Sequence, residues 1–108
     1  MTIAEHFYNR MEDIEEMMIS QKHEELDEYG LSLTYNPDDD EWTWLLSWGG
    51  PSEEIVMIGR GNNAEFRYIY KDWGTRKEYG ITSPLEEVAL KTLFNDWFNC
   101  EEMRDVLQ

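Results

Sequence analysis

The sequence predicts an α+β fold: two layers, with an antiparallel sheet of four to five strands flanked by an N-terminal and a C-terminal helix packed on one face. Three observations predict it. Residues 3–28 and 84–99 carry apolar side chains at helical spacing, whereas residues 31–71 alternate with period two between clusters of turn residues. Strands joined by links of turn length pair antiparallel, and two amphipathic helices need a sheet face on which to bury their stripes. A length of 108 residues, without repeat or linker, fits one domain spanning 1–108.

Thr2-Ile3-Ala4-Glu5 has the T-x-x-E form of a capping box, so a helix should begin at Ile3. Ile3, Phe7, Met11, Ile14 and Met18 follow at spacings of four, four, three and four, a single apolar stripe. Leu26 and Tyr29 continue it and Gly30 is a natural stop, which predicts one long helix over residues 3–28. Its other faces are acidic, with like-charged pairs such as Glu12/Glu16 and Glu24/Glu28 at i,i+4, each costing a few tenths of a kcal/mol.

Leu31 to Asn36 alternates and predicts a first strand, closed by the turn residues Asn36-Pro37-Asp38-Asp39. Trp42, Trp44, Leu46 and Trp48 share one face of a second strand, and their spacing predicts sheet core for the tryptophans, with an indole edge left near Gly49. Ile55 to Ile58 predicts a short third strand. Phe66, Tyr68 and Tyr70, alternating with Arg67, Ile69 and Lys71, predict a fourth, and residues 76–82 add an edge strand after the break at Asp72-Trp73-Gly74-Thr75. Ser83-Pro84-Leu85-Glu86 predicts a second capping box opening a helix over 84–99, and Glu101–Leu107 continues helically with Met103, Val106 and Leu107 packing back.

Composition limits the functions. Apolar residues make up 41% and aromatics 14%, enough to fill a core. No apolar run reaches the ~18 residues of a membrane span, and the N-terminus lacks the apolar stretch of a signal peptide. The lone Cys100 has no internal partner for a disulfide and fits a reducing, cytoplasmic setting. The net charge of −15 is uneven: residues 1–54 hold 15 acids and two bases, residues 55–108 nine acids and seven bases. Such a field repels nucleic acid and anionic membranes and attracts basic partners.

Catalytic and metal motifs fall away on inspection. The run Asp38–Glu41 lacks the glycine and terminal glutamate of a calcium loop, since Thr43 and Gly49 occupy those positions. Gly59-Arg60-Gly61 has no following helix to complete a phosphate loop. His6 and His23 are 17 residues apart, Cys100 has no base to activate it, and Ser83 is a cap, so no nucleophile–base–orienter set assembles. The expectation is a protein that is not an enzyme and carries no cofactor and no metal. What remains is the acidic surface: Glu12, Asp13, Glu16, Glu24 and Glu28 on the first helix with Asp38, Asp39, Asp40 and Glu41 in the first turn. Carboxylates at i,i+4 recur about every 6 Å along a helix, from the 1.5 Å rise per residue, against a phosphate about every 3.4 Å per DNA strand.

The segments LSWGGP at 46–51 and YKDWGT at 70–75, set in a small, acidic, Trp-rich chain, resemble those of phage and mobile-element proteins. Size and charge are similar to those of phage anti-defence inhibitors, including anti-CRISPR and anti-restriction proteins, several of which mimic DNA. The resemblance implies a class of role: a non-enzymatic inhibitor in the cytoplasm of a bacterial host. Its partner would be a basic nucleic-acid-binding protein, such as a CRISPR-associated or restriction component, with no direct contact to nucleic acid. No functional residue carries over from it. The alternative is a small interaction or homodimerisation module using an apolar patch of Leu45, Val56, Ile58 and Ile69 on the second sheet face.

Overall fold

The alternating segment folds into one antiparallel sheet of five strands in sequence order: β1 (Ser32–Asn36), β2 (Glu41–Ser47), β3 (Ser52–Ile58), β4 (Glu65–Asp72) and β5 (Thr75–Ile81). The computed structural model describes residues 2–107, without the side chain of Leu107. Helices α1 (Ile3–Ile19) and α2 (His23–Tyr29) precede the sheet, and α3 (Pro84–Thr92) and α4 (Cys100–Leu107) follow it. Together these elements make an α+β fold.

Register explains the core. One row across all five strands reads Tyr35, Trp42, Met57, Phe66, Ile81, and the next reads Leu33, Trp44, Ile55, Tyr68, Tyr79. A side-chain period of two places both rows on the same side of the sheet. They join Phe7, Met11 and Ile14 of α1, Leu26 of α2, Leu90 of α3 and Cys100 of α4 in a single buried cluster. Trp44 meets Phe94 and Phe98 edge-on at 6.3 and 5.2 Å between ring centres, the T-shaped arrangement aromatic quadrupoles favour.

On the opposite side of the sheet the residues of the expected apolar patch are interleaved with charge, with Leu45 and Ile58 half-buried. Val56 and Ile69 are buried, but they stand in rows with Arg67, Glu54 and Glu78. Arg67 pairs with Glu78 at 2.9 Å and Lys71 with Glu54 at 3.6 Å, so charged ladders occupy that side in place of an open apolar surface. β3 also starts three residues earlier than expected, because Glu53 turns inward to a partner described below.

The first helix is two helices. α1 ends in a Schellman motif: Lys22 N–H bonds Met17 O, Gln21 N–H bonds Met18 O, and Gln21 takes a φ of +54°. That position usually carries glycine, so the sequence offered no signal for the break. α2 then leaves in a new direction and buries Leu26 completely. The Thr2–Glu5 capping box forms as expected, with Glu5 N–H bonding Thr2 Oγ1 at 3.2 Å and Thr2 N–H bonding Glu5 Oε1 at 3.3 Å. The Ser83 side chain makes no cap bond; proline at N1 provides the start.

Beyond α3 the helix widens into a π turn over Leu93–Trp97, closed by Phe98 N–H on Leu93 O at 2.8 Å. Asn99, at a φ of +53°, ends it and α4 departs. Contrary to expectation, α4 does not pack back through Met103 and Val106. Val106 is largely exposed, and beyond Cys100 the side chain that α4 buries is Arg104; the Leu107 side chain lies outside the described residues.

Gly30 is required by packing and not by a left-handed backbone, since its φ is −90°. A Cβ there would lie 2.0 Å from Nε1 of the buried Trp44 indole. Gly30→Ala is expected to destabilise the fold by about 1–3 kcal/mol, because Trp44 cannot withdraw from between Tyr29, Phe94 and Phe98 without opening the core. Chemical denaturation, with the midpoint shifted at constant slope, checks this.

Candidate acidic interface and its internal anchors

Two polar networks fix the elements that carry the acids. The first centres on Glu53, whose side chain is 11% exposed. Oε1 accepts from Arg10 Nε at 3.1 Å and from the Tyr68 hydroxyl; Oε2 accepts from Arg10 Nη2 and from Ser47 Oγ at 3.1 Å. Arg10 Nη1 donates to the Tyr29 hydroxyl at 3.1 Å, which donates to Asp13 Oδ2 at 2.8 Å. One guanidinium thus ties α1 to β3 and α2, with its fork matched to the carboxylate. Burial pushes the Glu53 pKa up, but the bonds from Arg10 and Tyr68 outweigh it and hold the carboxyl below its ordinary range. Burial first, then the bond to Glu53, raises Tyr68.

The second network centres on Asp40. Oδ1 accepts from the Tyr35 hydroxyl at 2.9 Å and lies 2.8 Å from Arg104 Nε, an ion-pair distance without hydrogen-bond alignment. Oδ2 accepts from Arg60 Nε at 3.2 Å. Arg104, fully buried, also donates from Nη2 to Gly59 O at 3.0 Å and sits over the Tyr35 ring. The β1–β2 turn is therefore bolted to α4 and to the β3–β4 loop.

The nine acids singled out in the sequence separate accordingly. Glu12, Asp13 and Glu16 are exposed on α1, Glu24 and Glu28 on α2, and Asp38 and Asp39 at the turn. Asp13 is engaged by Tyr29, while Asp38 N–H and Asp39 Oδ2 bond the Asn36 side chain in an Asx-type turn. Asp40 is withdrawn into its network and Glu41 is half-buried at the start of β2. The turn and α1 are fastened near opposite ends of β3, at Gly59 and Glu53, six residues or about 20 Å of strand apart.

Cations are scarce and mostly committed. Of the nine Lys and Arg side chains, only Lys77 and Lys91 lack a carboxylate partner among the described residues, and Lys91 donates to Asn62 O. The exposed acids of α1 therefore face solvent without neighbouring countercharge. No group of three or more His, Cys, Asp or Glu side chains positioned to hold a metal occurs among the described residues. Cys100 is buried, and burial pushes its thiol up to about 12, which leaves it protonated and unreactive. His6 stacks on Tyr70 at 4.5 Å and His23 on Trp97 at 3.9 Å.

The tryptophans also divide. Trp42 and Trp44 are core, as their spacing indicates, but Trp48 is 74% exposed. A register shift between Leu45 and Ser47 ends the strand before it. Trp73, in the turn that breaks the fourth strand, is 95% exposed. A comparison with protein-family models, curated proteins and solved structures finds no match for the chain.

Because the folded-state pKa of Glu53 is depressed, its contribution is complete above the ordinary carboxyl value near 4.5 and is lost as pH falls through the lower folded value. Glu53→Gln leaves Arg10 buried without its countercharge and is expected to cost about 3 kcal/mol at pH 7. The gap between wild type and variant should begin to narrow below pH 4.5, where the unfolded chain takes up the Glu53 proton, and close as pH falls through the lower folded value. Thermal unfolding of both proteins from pH 7 to pH 3 checks the sign.

Proposed function

We propose that the protein is a non-enzymatic inhibitor that binds a basic, nucleic-acid-handling defence protein through exposed carboxylates, in the cytoplasm of a bacterial host. The observation that carries the reading is that seven of the nine Lys and Arg side chains pair with carboxylates of the same chain while Glu12, Glu16, Glu24 and Glu28 remain exposed and outside those pairs. A lysine- or arginine-lined nucleic-acid channel is the complementary surface, and attraction to it would be long-ranged and sensitive to salt. The reading places contact on α1 and α2, with Asp38 and Asp39 as a separate point of contact. Asp40 stands apart from it, because Tyr35, Arg60 and Arg104 already surround that carboxylate.

Charge reversal tests this directly. Replacing Glu12, Glu16, Glu24 and Glu28 together with Lys moves the net charge from −15 to −7 without touching a buried side chain. Association with the captured partner should slow by about 10- to 100-fold, within the range of electrostatic steering. Wild-type binding should weaken by ~0.5 M salt and yield to competing duplex DNA. Binding that ignores both salt and the four reversals would overturn the electrostatic account. Asp40→Asn is the control: it should lower thermal stability, by leaving Arg104 without its countercharge, yet leave affinity of the folded fraction intact.

A further inference from the structure

The tips of the β2–β3 and β4–β5 hairpins lie at one end of the sheet and enclose an open cleft of about 460 Å³. Trp48 and Trp73 line it from the two tips. Its base is a cross-strand row, Ser52 on β3, Lys71 on β4 and Arg76 on β5. Folding does not account for the tryptophans. Trp73 occupies the first position of a two-residue turn at a φ of +49°, followed by Gly74 at +80°, a place where Asn or Gly is favoured and a bulky side chain is an outlier. A strained backbone that holds an indole 95% exposed suggests use.

The chemistry of the cleft selects its ligand. An anion would meet the nearby Glu54 and Glu78 that pair with Lys71 and Arg76, and the field of a chain at −15. A cation would approach Lys71 and Arg76. A neutral ring avoids both penalties. Two indole faces call for a flat apolar surface, while Lys71 and Arg76 offer donors and the Ser52 hydroxyl can donate or accept. A pyranose ring supplies both needs, with C–H groups on one face and hydroxyls that donate and accept around its edge. The volume lies within the ~300–1,000 Å³ typical of small-molecule clefts.

We propose that this cleft is a carbohydrate-binding site for neutral pyranose units, with Trp48 and Trp73 as stacking platforms and Lys71 and Arg76 as donors to the ring hydroxyls. It does not depend on the acidic-surface reading. The test is titration of the whole protein with neutral trisaccharides of glucose and of N-acetylglucosamine, following the five indole N–H signals by NMR. At least one sugar should give a saturable shift confined to the Trp48 and Trp73 signals. Trp48→Ala should abolish it. Trp73→Gly should do the same while holding or raising the melting temperature, since glycine suits the positive φ. Arg76→Gln should weaken binding about 10-fold. Absence of a saturable shift with every sugar would sink the proposal, as would a response of the same indoles to N-acetylarginine amide or adenosine monophosphate in place of sugar.

Discussion

The pairing of Arg10 with Glu53 is the contact on which the arrangement of the chain depends. The carboxylate sits on β3, the central strand, and the guanidinium on α1, with Tyr68, Tyr29 and Ser47 completing the bonds. Burying either ion alone would be costly, so each makes the other's position obligatory. Apolar contacts of α1 through Phe7, Met11 and Ile14 supply attraction without a unique register. A bidentate ion pair with saturated neighbours tolerates far less sliding, so it sets where along the sheet the helix rests.

The same economy operates at the other end. Arg104 is buried against Asp40, and Arg60 closes the remaining oxygen. In a chain with 24 acids and nine bases, drawing Arg10 and Arg104 inward as fasteners removes two of the few cations from the surface. Structural demand and surface character are therefore linked: each arginine drawn into a network neutralises one structural acid, and those left outside go unanswered. The outward acids of α1 are set against one another at i,i+4, a local cost that the helix tolerates because tertiary contacts, and not its own propensity, hold it.

Elements governed by a simple period were legible in the sequence. The five strands, their order and the first capping box follow from alternation, turn residues and T-x-x-E. What was illegible turns on long-range partners. Glu53 looks like a solvated residue ending a turn until Arg10 is beside it. On α4, composition alone would bury Met103 and Val106, yet Arg104 goes inside because Asp40 waits there. The Schellman break at Gln21 had no glycine to announce it, and Gly30, which stops the helix as expected, answers also to the Trp44 indole, which no local pattern shows. Among the candidate acids, exposure of Glu12 and Glu16 was readable from the stripe they avoid. Withdrawal of Asp40 was not, since its three partners lie 5, 20 and 64 residues away.

Meander topology then distributes the surfaces. Successive hairpins alternate between the two ends of an antiparallel sheet, so the β1–β2 turn and the β3–β4 loop share one end, and the tips bearing Trp48 and Trp73 share the other. Asp38 and Asp39 are thereby separated from the aromatic cleft by the length of the strands. The two ends are also built differently. The acidic end is braced by Tyr35, Arg60 and Arg104, whereas the aromatic end presents two indoles that the core does not need, one of them on strained backbone. Bracing at one end and exposed aromatic surface at the other divide the labour within one sheet, and the Arg10–Glu53 contact, near the aromatic end, keeps α1 in register with both.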